Sequence, residues 1–104
     1  MIHLIETKDI PKELVINSQK IMMIVFYSEE CIPSQMLLPI LQELDKKFES
    51  LEVYRINIEN EEEYILVNDI KSTPTIVLYK DKQAIEKIVG LTSFDKLSKL
   101  IEEC

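Results

Sequence analysis

The chain has no tryptophan, one glycine, one histidine and two cysteines among 104 residues, and each shortage removes a class of protein. A secreted scaffold of this size, stapled by disulfides, would carry four or more cysteines, so Cys31 and Cys104 point to a reduced compartment. With His3 alone there is no zinc-ligand spacing and no obvious histidine base for a cysteine hydrolase. No apolar run approaches the roughly 18 residues that span a bilayer, and charged residues occupy the N-terminus where a leader would place an apolar block. A basic excess is lacking too. The net charge of −7 argues against nucleic acid or an anionic membrane as partner, since either needs a basic face. The expectation is a cytoplasmic, soluble monomer with no cofactor and no metal.

What is present reads as one α/β domain over residues 1–104, with 46% hydrophobic residues to fill a single core. Ile2 to Ile5 is a short strand candidate. Asp9 is placed to cap a helix with Pro11 in its first turn, ending near Lys20 and setting Leu14, Val15 and Ser18 on neighbouring turns. Ile21 to Tyr27 is continuously apolar, as a central strand buried on both faces would be. Leu37, Ile40, Leu41, Leu44 and Phe48 recur at spacings of three and four, which predicts a helical face that must continue through Pro39. Leu51 to Ile58 alternates as a strand. Asn60 followed by three glutamates predicts a capped helix start, with the carboxylates solvated near the positive end of the dipole rather than grouped with Glu59 as metal ligands. Thr75 to Lys80 and Ala84 to Val89, joined by Asp81 to Gln83, read as a hairpin. Thr92 to Asp95 has capping-box form before a last helix carrying Phe94, Leu97, Leu100 and Ile101. The order is β-α-β-α-β-α-β-β-α.

The chemistry-bearing feature is Cys31, set between a buried strand and a helix. There the unpaired N–H groups and dipole of the helix start favour a thiolate, and Pro33 stiffens the first turn where no N–H is needed. A buried structural cysteine would fit this single feature equally well. A second feature, Ser72-Thr73-Pro74-Thr75, precedes an apolar strand, and spacing alone does not make Pro74 cis. The lone glycine, Gly90, follows the last strand. Other turns manage with Asn, Asp and Lys, which favours a steric role for it over a simple turn.

These pieces together resemble the thioredoxin family over nearly the whole chain. The resemblance rests on an aromatic pair ending the central strand, the Cys31–Pro33 spacing, and a kinking proline eight residues beyond the cysteine. Arg55 to Glu59 is similar to the family's third strand, Ile70 to Thr75 to its cis-proline loop, and Val89-Gly90 to the glycine near its active site. The resemblance implies the thioredoxin fold, a central mixed sheet with helices on both faces. It also implies a thiol at position 31 beside a cis Pro74, with Thr73 offering backbone hydrogen bonds to a substrate segment, Gly90 leaving room nearby, and Glu30 and Ile32 flanking the nucleophile. Substrates would dock as an added strand.

The departures from the family concern chemistry. Its catalytic pair is Cys-x-x-Cys, and here the second position is Ser34, which forms no internal disulfide but can donate a hydrogen bond to a Cys31 thiolate. The tryptophan before the nucleophile is Glu30, preceded by Glu29; the buried proton-accepting aspartate is Val25; the basic residue after the second cysteine is Gln35. All three changes remove support for a thiolate or for proton transfer, which predicts a less acidic, slower thiol than an ordinary thioredoxin has. Cys104 follows a last helix whose ten residues would cover about 15 Å running away from the site, too far for a disulfide to Cys31; exposed at the terminus, it would be free to link two chains. The expected function is a monothiol redox protein whose Cys31 forms mixed disulfides with protein or small-molecule thiols, resolved by an external low-molecular-weight thiol or a reductase. Two alternatives stand beside it: a non-catalytic binding module using the same groove, and a dithiol thioredoxin carrying an engineered Ser34. The changes at Val25, Glu30 and Gln35 speak against the last.

Overall fold

A computed structural model describes all residues 1–104. Its centre is β2 (Ile21–Tyr27), whose even-numbered side chains Met22, Ile24 and Phe26 enter one hydrophobic cluster and whose Met23 and Val25 enter another. A strand apolar on every residue has no wet face to offer, so it takes the middle of the sheet. It pairs parallel with β3 (Leu51–Asn57) and antiparallel with β4 (Thr75–Lys80). The five-stranded sheet is completed by β1 (Ile2–Leu4), parallel to β3, and β5 (Gln83–Val89), antiparallel to β4, in the order β1-β3-β2-β4-β5.

Helices cover both faces. On one side α2 (Ile32–Lys47) and α4 (Phe94–Glu102) bury Leu37, Leu41, Leu44, Leu97 and Ile101 against Met23, Val25, Val53, Ile76 and Leu78. On the other, α1 (Ile10–Ile16) and α3 (Glu62–Val67) supply Ile10, Leu14, Tyr64 and Ile65 against Met22, Ile24, Phe26 and Ile56. Pro39 lies inside α2 on its exposed side. The proline costs about 3 kcal/mol, whereas burying Leu37, Leu41 and Leu44 stabilises by about 2 kcal/mol each, so the helix continues.

Helix ends and turns depart from the sequence reading in specific ways. A 3-10 turn, Thr7–Asp9, precedes α1, and Asp9 accepts from the Glu6 N–H at 3.1 Å instead of capping α1. The helix stops at Ile16, short of Lys20, because the Asn17 side chain donates to the Glu13 carbonyl at 2.8 Å and supplies the end cap itself; Ser18 is outside the helix and Val15 is exposed. Asn60 does not cap α3. It takes a left-handed turn with φ 68°, and Glu61 holds the N-cap position, its carboxylate accepting from the Thr7 N–H at 2.9 Å and the Thr7 hydroxyl at 2.5 Å. The hairpin turn is two residues, Asp81 and Lys82, both at positive φ (53° and 67°), and Gln83 is already in β5. That is the primed turn whose twist matches its flanking strands. Ser93, not Thr92, caps α4, accepting from the Lys96 N–H at 3.1 Å.

Candidate active site

The loop leaving β2 returns directly into α2, and Cys31 is the N-cap residue of that helix, extended at φ −89° and ψ 112°. Four hydrogen bonds stitch the loop to the first turn. The Cys31 N–H donates to the Ser28 carbonyl at 3.2 Å and the Gln35 N–H to the Cys31 carbonyl at 3.1 Å. The Ser28 N–H donates to the Ser34 hydroxyl oxygen at 3.4 Å, and the Gln35 side chain donates to the Glu29 carbonyl. Pro33 stands in the first turn, where a missing N–H is harmless. Cys31 is half-buried, Ser34 is buried beneath it, and Glu30, Ile32 and Pro33 face solvent.

Forty-two residues on, the loop before β4 meets the thiol. The Thr73–Pro74 peptide is cis, Pro74 is buried, and the Cys31 sulfur lies 3.2 Å from the Thr73 carbonyl oxygen. The Thr73 N–H makes no backbone hydrogen bond within the chain. Gly90 donates its N–H to the Pro74 carbonyl at 2.8 Å. Cys31, Ser34, Thr73, Pro74 and Gly90 thus converge. For Gly90 the steric reading needs correction: a Cβ there would meet nothing within 4 Å, and what requires glycine is a φ of +89°.

The acidity of Cys31 is set by its contacts across the site. A hydrogen bond from the Ser34 hydroxyl, then the Thr73 side chain and the Ser34 backbone N–H, push its pKa below the ordinary thiol value, against a smaller opposing effect of burial. The thiol's contact with the Thr73 carbonyl favours the protonated form, yet the donors outweigh it. Glu29 and Glu30 are exposed and are not among the groups that set this shift. Val25 is buried in the core, so no carboxylate lies behind the site at that position. Cys104 is half-buried, not exposed; its sulfur donates to the Leu100 carbonyl at 3.1 Å, and burial raises its pKa while Lys80 opposes that. Lys80 ends the six-residue β4 that starts beside Thr73, and six residues of strand cover about 17 Å. The two thiols are therefore at opposite ends of the sheet.

One group was not singled out by the linear pattern. The Arg55 guanidinium lies over the Tyr27 ring, 4.0 Å from its centroid, at the end of β2 from which the Cys31 loop springs. Arg55 is opposite Val25 in register, so it shares a face with Tyr27 two residues further along. That signal becomes readable only once strand pairing is known.

Comparison with known proteins agrees with this arrangement. The thioredoxin family model matches residues 3–103. The chain belongs to the thioredoxin family. It is 31% identical over 83 residues to the thioredoxin of Chlamydia caviae, covering 80% of this chain and 81% of that one. It is 35% identical over 71 residues to the thioredoxin-like protein CXXS2 of Arabidopsis thaliana, covering 68% of this chain and 46% of the plant protein. In fold it superposes on Fasciola hepatica thioredoxin with a TM-score of 0.87, at 20% identity and 97% coverage of both chains. The thioredoxin fold, with its mixed sheet and two helical layers, accounts for the meeting of Cys31 with the Pro74 loop. Thioredoxins are redox proteins that act on protein disulfides together with reductases. No helix of this chain is long and apolar enough to cross a membrane.

Proposed function

We propose that the protein is a monothiol member of its family, in which Cys31 exchanges disulfides and an external thiol completes the cycle. The single observation that carries this reading is Ser34, buried one helical turn from Cys31 where the second thiol of a dithiol pair would sit. The plant relative whose name spells the Cys-x-x-Ser pattern supports it. The Cys31 thiolate attacks one sulfur of a substrate disulfide; a new S–S bond forms, and the other substrate sulfur leaves as a thiolate that takes a proton from water. An external thiolate then attacks the Cys31 sulfur, releasing the second substrate thiol. A second external thiolate frees Cys31 and departs as a low-molecular-weight disulfide. Thr73, Pro74 and Gly90 hold the substrate segment, with the Thr73 N–H available to an added strand.

The test mixes reduced protein with a disulfide substrate and no other thiol. The expected result is arrest at a one-to-one mixed disulfide on Cys31, with one substrate thiol released. Release of both substrate thiols without an external thiol would overturn the monothiol cycle. Absence of any adduct, with substrate binding kept in Cys31→Ser, would make the protein a binding module instead.

A further inference from the structure

Arg55 is the single arginine among twelve basic residues. Every ion pair of the chain uses lysine, histidine or the N-terminus, and no carboxylate lies within salt-bridge distance of the guanidinium. In a chain with 19 acidic residues an unpaired arginine is a specific placement, since a planar fork of N–H donors suits a carboxylate in a way that a lysine does not. It lines a cleft of about 190 Å³ with Tyr27, Ser28, Glu29, Gln35 and Leu38. Ser28 and Glu29 precede Cys31 in the nucleophile loop, and Gln35 follows it one turn into α2. The cleft therefore opens on the β3 side of the loop whose other side meets Thr73.

We propose that this cleft binds a carboxylate of the external thiol, so that Arg55 selects anionic low-molecular-weight thiols for exchange at Cys31. The inference rests on the monothiol cycle above. Reach is adequate: β3 and β4 flank β2, so the two sides of the loop are about two strand spacings, or 10 Å, apart. A carboxylate one residue beyond a thiol lies about 7 Å from it in an extended chain, and the disulfide bond adds about 2 Å. The opposing charges are Glu29 in the cleft and Glu30 beside the thiol, both exposed. Alone they would favour a neutral or cationic thiol over an anionic one, so the direction of selectivity discriminates.

The experiment measures the rate at which reduced protein forms a mixed disulfide with glutathione disulfide and with the same compound esterified at its glycine carboxylates. The free acid is expected to react about fivefold faster, the effect of one partly exposed charge pair. In Arg55→Met the ratio of the two rates is expected to fall to one or below, and Arg55→Lys to keep part of the preference. Equal rates in the unmodified protein, or a faster ester, would overturn the proposal without need of any variant. A preference that persists in Arg55→Met would overturn it as well. Reaction of both compounds at equal rates leaves the monothiol cycle standing, whereas failure of both to modify Cys31 defeats that cycle and this inference together.

Discussion

The Cys31 sulfur and the Thr73 carbonyl oxygen are 3.2 Å apart across 42 residues of chain. That contact binds the loop between β2 and α2 to the loop before β4, and sets the Cys31 sulfur beside the backbone of Thr73.

Removing the Ser34 hydroxyl should make the thiol less acidic. Ser34→Ala is expected to raise the Cys31 pKa, because the largest influence lowering it is lost. Below that pKa, each unit of increase removes about nine-tenths of the thiolate. The alkylation rate of Cys31, followed from pH 5 to 10, reads the shift directly. An unchanged midpoint would show that Ser34 does not stabilise the thiolate.

Restoring a second thiol should change the stoichiometry of exchange. Residues three apart on the first turn of a helix bring their Cα atoms within the roughly 7 Å that a disulfide tolerates. Ser34→Cys is therefore expected to release both thiols of a substrate disulfide in a single turnover and to lose 2 Da on oxidation, as read by mass spectrometry.

Gly90 should resist replacement for conformational reasons. Its φ of +89° is disfavoured for any residue with a Cβ, while the space around it is open. Gly90→Ala is expected to lower stability by about 1–2 kcal/mol in urea denaturation, with the native fold retained. No loss would mean that the backbone relaxes to negative φ at no cost.

Alkaline pH should weaken the fold. Burial pushes the Tyr79 hydroxyl up to about 12, aided by Tyr64, and burial with the Glu13 carboxylate pushes Tyr54 to about 12. A folded pKa above the unfolded value near 10 means stability that is present below pH 10 and lost as pH rises toward 12, since the unfolded chain releases these protons first. Denaturation midpoints between pH 9 and 11.5 should fall, less steeply in Tyr79→Phe.

Core truncation gives the largest expected loss. Leu41 is 1% exposed between α2 and the sheet, and Leu41→Ala is expected to cost about 2–5 kcal/mol by the same urea assay.

Much of this was legible in the residues alone, for local reasons. Seven consecutive apolar residues from Ile21 have one comfortable place in an α/β domain, and Cys31 with Pro33 stands at the strand-to-helix junction as the pattern predicts. Less legible were features decided by competition between neighbours. Ser93 and Thr92 are equally able to cap, and only packing of Phe94 and Leu97 selects the register. Asn17 ends α1 by turning its amide onto Glu13 and onto the Tyr54 hydroxyl, 2.7 Å away and 37 residues distant. The influences on the Cys31 thiol are less legible, because a string of letters shows Glu29 and Glu30 as neighbours without showing that both face water, whereas Ser34, buried in the first turn, has the largest effect. Arg55 over Tyr27 depends on strand register, which no local pattern specifies.

The Asp81–Lys82 turn, at the pole of the sheet away from Cys31, offers a place for engineering. Its residues are exposed and are separated from the Pro74 loop by the whole of β4. A peptide tag or fluorophore grafted there, or a tether to a solid support, would leave the face around Cys31 pointing outward.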